Sequence, residues 1–276
     1  MSIILTATKN NYISDLYLFL SRIIPAIKVW YPTQQSLYSL LDNGEKFEYL
    51  FCENEHLTSA TIEAINEYNI QTVTFGHLGD KKVSPKVKCL LRSDIGPLFP
   101  EDFSDYLYLA PAANAPDIYN DKINKKDIYY ITEKSIIDGT IQHLLDNNIS
   151  VKIVGPHHLP YKEYLGQIDT KTRMKILTEA KVVILDDIDY IYDVGISKSY
   201  ALIAIENTLY PNFDNKEELL DQINEFNNAA YVEHVLPAHK KRAFEFAVQN
   251  TFIHRIIEIF TRLDRKDIVE ICLKLL

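Results

Sequence analysis

The feature that most constrains this chain is an alternation of short apolar runs with longer amphipathic ones, which occurs twice with a polar, proline-bearing gap between. Short runs bounded by turn residues read as buried strands, and the amphipathic stretches read as helices that cover them. In the first half the spacing predicts strands over 2–7, 27–31, 47–52 and 71–76, with helices over 12–23, 33–42 and 58–69 between them. Two more strands are expected over 87–92 and 105–110. "PAANAPDIYNDKINKKD" (111–127) has no periodicity and reads as a linker. The alternation then restarts with strands over 128–132, 151–155 and 181–186 and helices over 133–148, 170–180 and 196–206. From 215 onward the pattern is helical. Strands alternating with helices in this way imply an α/β fold with open, largely parallel sheets.

At 276 residues and 47% hydrophobic content the chain can bury two cores, so two domains are expected. A formal net charge of −9 argues against a surface that tracks a phosphodiester backbone, and nucleic acid is not a favoured partner. Cys52, Cys89 and Cys272 fit neither a disulfide framework nor a zinc cluster, consistent with a reducing cytoplasm. The first twenty residues lack a basic region ahead of a continuous apolar run, so neither a leader nor a membrane span is expected. Abundant Ile, Asn, Lys and Tyr beside scarce Gly fit an AT-rich genome, viral or bacterial; a viral source would place the protein in the host cytoplasm.

Open parallel sheets bind ligands beyond the carboxyl ends of their strands, which directs attention to the residues that follow each strand. Thr132, Glu133, Lys134 and Ser135 combine amides, hydroxyls and a cation suited to phosphate, although a cap followed by solvated charges gives the same pattern. Gly155, Pro156 and His157 follow the next strand, with His158 adjacent; no partner stands at metal-ligand spacing, so no zinc site is expected. "LDDIDYIYD" (185–193) offers Asp187 and Asp189 as a magnesium chelate or simply as a solvated acidic loop. "VGISKSYALIAIEN" (194–207) reads as a glycine turn leading into a helix whose first residues, Ser197 and Lys198, could meet a phosphate or could merely begin a packed helix. No P-loop, G-x-S-x-G, H-E-x-x-H or G-x-G-x-x-G pattern is present.

The run "KIVGPHHLPYKEYLGQIDTKTRMKILTEAKVVILDD", with Gly155, Tyr164 to Gly166 and Ala180 to Leu185 as its fixed points, resembles the carboxyl-terminal half of GT-B glycosyltransferases, most of all the CgeB and spore-protein glycosyltransferase-like group. Asp193, Gly195, Ser197 and Lys198 match in type that group's D-x-G-x-S-x-R-x-F-E-like helix start, with Tyr200 in place of Phe. "NKEELLDQINEFNN" and "QNTFIHRIIEIF" resemble its later helices.

The resemblance implies two Rossmann-like domains facing across a cleft, over 1–115 and 128–262, with a helix over 263–276 packing back on the first. It implies a nucleotide-diphospho-sugar substrate, no metal or other cofactor, and an acceptor of unknown identity, a modified DNA base being one option if the source is viral. Donor contacts are expected from Thr132, Lys134, Ser135, Gly155, Pro156, His157, Gly195, Ser197, Lys198, Ser199 and Tyr200, with Lys198 on the diphosphate. Catalytic base candidates in the first domain are His77, Asp80 and Asp15, with His77 preferred because it follows a strand. The chain departs from the pattern at Ala201, at Glu206 and in the short "NTLYP" segment. These departures motivate an alternative, a non-catalytic binding or assembly module of the same fold. An epimerase or phosphorylase shares the architecture as well.

Overall fold

The computed structural model describes residues 1–8, 11–76, 86–91, 106–109, 112–113, 127–132, 139–186, 190–204 and 210–276. The chain divides into two compact units, Met1–Ala110 with Phe252–Leu276, and Pro111–Thr251. Each is built on a wholly parallel sheet among the described residues.

The first unit carries β1 (Ser2–Thr6), β2 (Ala26–Trp30), β3 (Tyr49–Glu53), β4 (Gln71–Phe75), β5 (Val87–Leu91) and β6 (Tyr106–Leu109) in the order β2-β1-β3-β4-β5-β6. Its helices are α1 (Asn11–Ile23), α2 (Leu37–Leu41) and α3 (Ser59–Glu67). Ser36 and Thr58 start α2 and α3 by accepting from the backbone N–H of Ser39 and Thr61, the ordinary work of a hydroxyl cap. Ile13, Leu16, Tyr17 and Leu20 form the buried stripe of α1.

The second unit carries β7 (Asp127–Ile131), β8 (Val151–Val154), β9 (Ala180–Leu185) and β10 (Ala201–Ile203) in the order β10-β9-β7-β8. Around them lie α4 (Thr140–Asp146), α5 (Thr170–Glu179), α6 (Ile191–Ile196), α7 (Lys216–Asn224) and α8 (Leu236–Ala247). Val182, Val183, Ile184 and Leu185 are buried in succession, as expected of a strand covered on both faces. Asp169 caps α5 by accepting from the Thr172 amide, and that bond holds its carboxyl below the usual carboxylate range.

The last two helices, α9 (Phe252–Arg262) and α10 (Lys266–Leu273), belong to the first unit. This corrects the placement of residues 252–262 with the second domain. The cause is aromatic packing: the Phe252 ring stacks on Phe19 at 5.7 Å and meets Tyr12 at 5.0 Å, while Phe260 lies 6.1 Å from Phe51 of β3. Arg265 then ties α10 to the sheet, donating to Glu48 at 2.9 Å and to both carboxylate oxygens of Asp267.

A second correction concerns 194–207. The expected helix over 196–206 is instead the end of α6 followed by β10, with Lys198 (φ 49°) in the left-handed region where the chain reverses. Ala201, Leu202 and Ile203 are all buried and pair with Val183, Ile184 and Leu185. An apolar run buried on every side has no period, so helix and strand cannot be told apart from it alone.

Candidate functional site

In each unit the strand order reverses at one place. In the first sheet the switch lies between β1 and β3; in the second, β8 lies on one side of β7 and β9 on the other. Crevices at such switch points, beyond the carboxyl ends of the strands, are where open α/β sheets hold ligands.

In the second unit the residues at that edge are Thr132 after β7, Gly155 after β8 and Asp186 after β9. They are joined to one another. The Thr132 hydroxyl donates to Asp186 Oδ2 at 2.5 Å, spanning the switch itself. The Thr132 amide donates to the Val154 carbonyl at 3.0 Å. A Cβ on Gly155 would stand 2.4 Å from the Thr132 carbonyl oxygen, so only glycine lets the ends of β7 and β8 approach this closely.

The chain leaving Gly155 turns back along β8. The Ile153 amide donates to Glu163 O at 3.0 Å, the Leu165 amide to Ile153 O at 2.8 Å, and Tyr164 Oη to Gly155 O at 2.9 Å. Gly166 takes φ 90°, a conformation for which glycine carries no steric cost. The segment 155–166 is thereby pinned to the outer edge of the sheet. Pro156 is half-buried and His157 exposed, and His158 stands edge-on to Tyr164 at 5.5 Å.

Of the expected donor residues, Thr132, Gly155, Pro156 and His157 gather at this edge. Lys134 and Ser135 lie outside the described residues, as do Glu133, Asp187, Asp189 and Glu206. Asp186 was missed because it reads as one member of an acidic run. The usable signal was its position directly after the strand.

The stretch 195–200 has a different character from the one expected of it. Gly195 is inside α6, where a Cβ would lie 2.7 Å from Ala243 O and 3.1 Å from Ala247 Cβ; it admits α8 at close range and is not a turn glycine. Ser197 and Ser199 are fully buried, and Ser199 Oγ donates to Leu177 O. Lys198 Nζ lies 4.9 Å over the Phe244 ring. Tyr200 shares a hydrogen bond with Tyr231 at 2.5 Å inside a cluster with Tyr210, Phe226 and His239. Burial pushes the Tyr200 phenol well up, with the Tyr231 hydrogen bond adding to it. Ser197 and Lys198 therefore follow the carbonyl end of a helix, where cations and not anions are favoured, and the helix start on which their phosphate role was based is absent.

Of the proposed catalytic bases, His77 and Asp80 lie outside the described residues. Asp15 is buried within α1, inside the helix expected over 12–23.

No protein-family model matches the sequence, and no curated protein matches it. Solved structures do. The chain is similar to Anabaena HepE in complex with UDP and glucose (TM-score 0.61, 9% identity, 95% of this chain and 100% of that one). It is similar to S. aureus MnaA with UDP (0.55, 12%, 96% and 98%). A third is UDP-GlcNAc 2-epimerase from Neisseria meningitidis bound to UDP-GlcNAc (0.52, 10%, 95% and 100%). The fold is GT-B-like, with two Rossmann-like parallel-sheet units and C-terminal helices. It is shared with enzymes that use nucleotide sugars. Among the described residues, no helix is long and apolar enough to cross a membrane.

Proposed function

We propose that this protein holds a nucleoside-diphospho-sugar at the carboxyl edge of its second sheet and transfers the sugar to an acceptor, as a glycosyltransferase. The observation that carries this reading is the tie between Thr132 and Asp186 across the switch point, closed on one side by Gly155. Three structures of the same fold hold UDP, UDP with glucose, or UDP-GlcNAc, which supports the ligand class.

Breaking the anomeric C–O bond leaves a nucleoside diphosphate with increased negative charge, which preorganised N–H donors and a cation stabilise. Lys134 and Ser135, two and three positions after Thr132 in sequence, are the proposed source of those contacts, together with Gly155, Pro156 and His157. His77 keeps its proposed role as base.

Epimerisation of the same substrate is the second reading, favoured by the Neisseria enzyme. A thermal-shift screen with UDP, GDP, ADP and TDP and their sugars tests the shared premise. A ligand at a hundredfold excess over Kd stabilises by about 2.7 kcal/mol. No shift with any of them would count against both readings and favour a binding module. With a ligand in hand, proton NMR of the incubated sugar nucleotide separates them: release or transfer of the sugar identifies a transferase, and a new sugar still attached to its nucleotide identifies an epimerase.

A further inference from the structure

The end of β3, at the switch point of the first sheet, carries a group of side chains unconnected with the site above. Residues Asn54–His56 form one short 3-10 turn directly after β3. Glu53, Glu55 and His56 each offer one ligand atom there, all within 4.8 Å of one another. His56 Nε2 stands 3.6 Å from Glu53 Oε2 and 3.6 Å from Glu55 Oε1.

Two features set this trio apart from a solvated acidic loop. The first is its spacing. At 3.6 Å the imidazole nitrogen lies beyond ordinary hydrogen-bond distance of either carboxylate. Two donors bound to one ion at about 2.0–2.2 Å with tetrahedral angles lie about 3.3–3.6 Å apart, which is the separation of the imidazole nitrogen from each of the two carboxylate oxygens. The second is its composition and place. One imidazole and two carboxylates are a mixed donor set, and they stand at the carboxyl edge of a parallel sheet, beside the point where its strand order reverses. The side chains of Glu53 and His56 are mostly covered, at 18% and 19% exposure, whereas Glu55 at 76% is on the open side. Asn54 anchors the turn to the end of β4, its side-chain amide donating to Gly76 O at 3.2 Å.

We propose that Glu53, Glu55 and His56 bind a divalent transition-metal ion, zinc or manganese. Imidazole nitrogen suits zinc and carboxylate oxygen suits manganese, so a site with one nitrogen and two oxygens accepts both. Three protein ligands leave at least one coordination position for water or for an oxygen of a bound molecule, the arrangement of an open site and not of a structural one. The proposal is independent of the nucleotide-sugar reading, whose donor edge belongs to the other unit.

Isothermal titration of the full chain with zinc chloride, then with manganese chloride, tests it directly. The wild type should bind one equivalent of at least one of them saturably. His56→Ala and Glu53→Gln should each weaken binding about tenfold or more, by analogy with the loss of other metal-site contacts. Glu55→Gln should weaken it several-fold, and because the Glu55 side chain is exposed this variant disturbs no packing. His157→Ala and His158→Ala, which remove imidazoles of the second unit, should leave it unchanged. Absence of saturable binding of either ion, or binding that persists unaltered in the Glu55 and His56 variants, would overturn the assignment. Circular dichroism of each variant confirms that a loss reflects the site and not the fold.

Discussion

Thr132 and Asp186, 54 positions apart in sequence, fasten the ends of β7 and β9 to each other through a hydroxyl-to-carboxylate hydrogen bond of 2.5 Å. Both residues are buried, so the bond is made where water competes poorly. It fixes the two lips of the crevice in the second sheet.

Replacing Thr132 by Val should therefore cost about 1–3 kcal/mol, the penalty of taking a donor away from a buried acceptor. Urea unfolding measures it. Thr132→Ser keeps the hydroxyl and should recover most of the loss. If the crevice is the donor site, the Val variant should also bind its nucleotide about tenfold more weakly, equivalent to about 1.4 kcal/mol, while the Ser variant binds as the wild type does. Equal affinity in all three proteins would remove the hydrogen bond from the binding site.

The stretch around Gly195 should respond in the opposite way. Gly195→Ala places a methyl 2.7 Å from the Ala243 carbonyl, and forcing α6 from α8 should cost about 1–3 kcal/mol. Lys198→Ala removes a cation from the Phe244 face, worth about 0.5–1 kcal/mol at a partly exposed position. Neither change should alter nucleotide affinity in protein that remains folded. A selective loss of binding in Lys198→Ala, at unchanged melting temperature, would restore the lysine to the ligand.

How much of this was legible beforehand depended on whether a signal was local. The strands of both sheets could be read because buried parallel strands are continuous apolar runs closed by turn residues, as in Val182 to Leu185. The same rule failed at Ala201 to Ile203, where the apolar run is too short and too uniformly buried to carry a period, and where only pairing with β9 decides the outcome. Gly195 was visible as a glycine, but its reason is a helix 48 residues later, at Ala243, which no local pattern reports. The helix at 252–262 is legible as part of the helical pattern that runs from 215 onward, and its apolar residues form one face. Which sheet that face covers was decided by Tyr12, Phe19 and Phe51, far away in sequence. Asp186 differs from Asp187 and Asp189 only in being the first residue after the strand, and that distinction carries weight once the switch point is known.

Arg265 gives the first unit a pH dependence of definite sign. Its guanidinium hydrogen-bonds both oxygens of Asp267 and lowers that carboxyl from 3.8 to about 2 in the folded chain. A group depressed on folding stabilises the fold fully above its unfolded value and loses that contribution as pH falls through the folded value. Stability should thus decline between about pH 4 and pH 2 by an increment that Asp267→Asn abolishes. The pair is solvent-exposed, so the increment should be small and should shrink further in high salt. Urea midpoints across this range for both proteins, at low and high ionic strength, check the sign and the screening. An increment that grew as pH fell would contradict the hydrogen bond.

A buried ion pair in the second unit offers a contrasting test. Arg173 of α5 lies 3.3 Å from Asp193 of α6, with its guanidinium 4.5 Å over the Tyr190 ring, and both partners are almost fully covered. Removing either alone takes the ion-pair partner from a charge that stays in the core, so Arg173→Met and Asp193→Leu should each cost about 3–5 kcal/mol. Replacing both with apolar side chains avoids the stranded charge as well as the desolvation of two ions, and the double variant should be no worse than the milder single one. The double-mutant cycle, measured by urea unfolding, should show a coupling of about 3 kcal/mol or more, since the double variant costs no more than the milder single one. Strict additivity would mean that the contact between Arg173 and Asp193 contributes nothing. Because α6 links β9 to β10, a large coupling would also identify this pair as the contact that seats the helix behind the carboxyl edge where Asp186 stands.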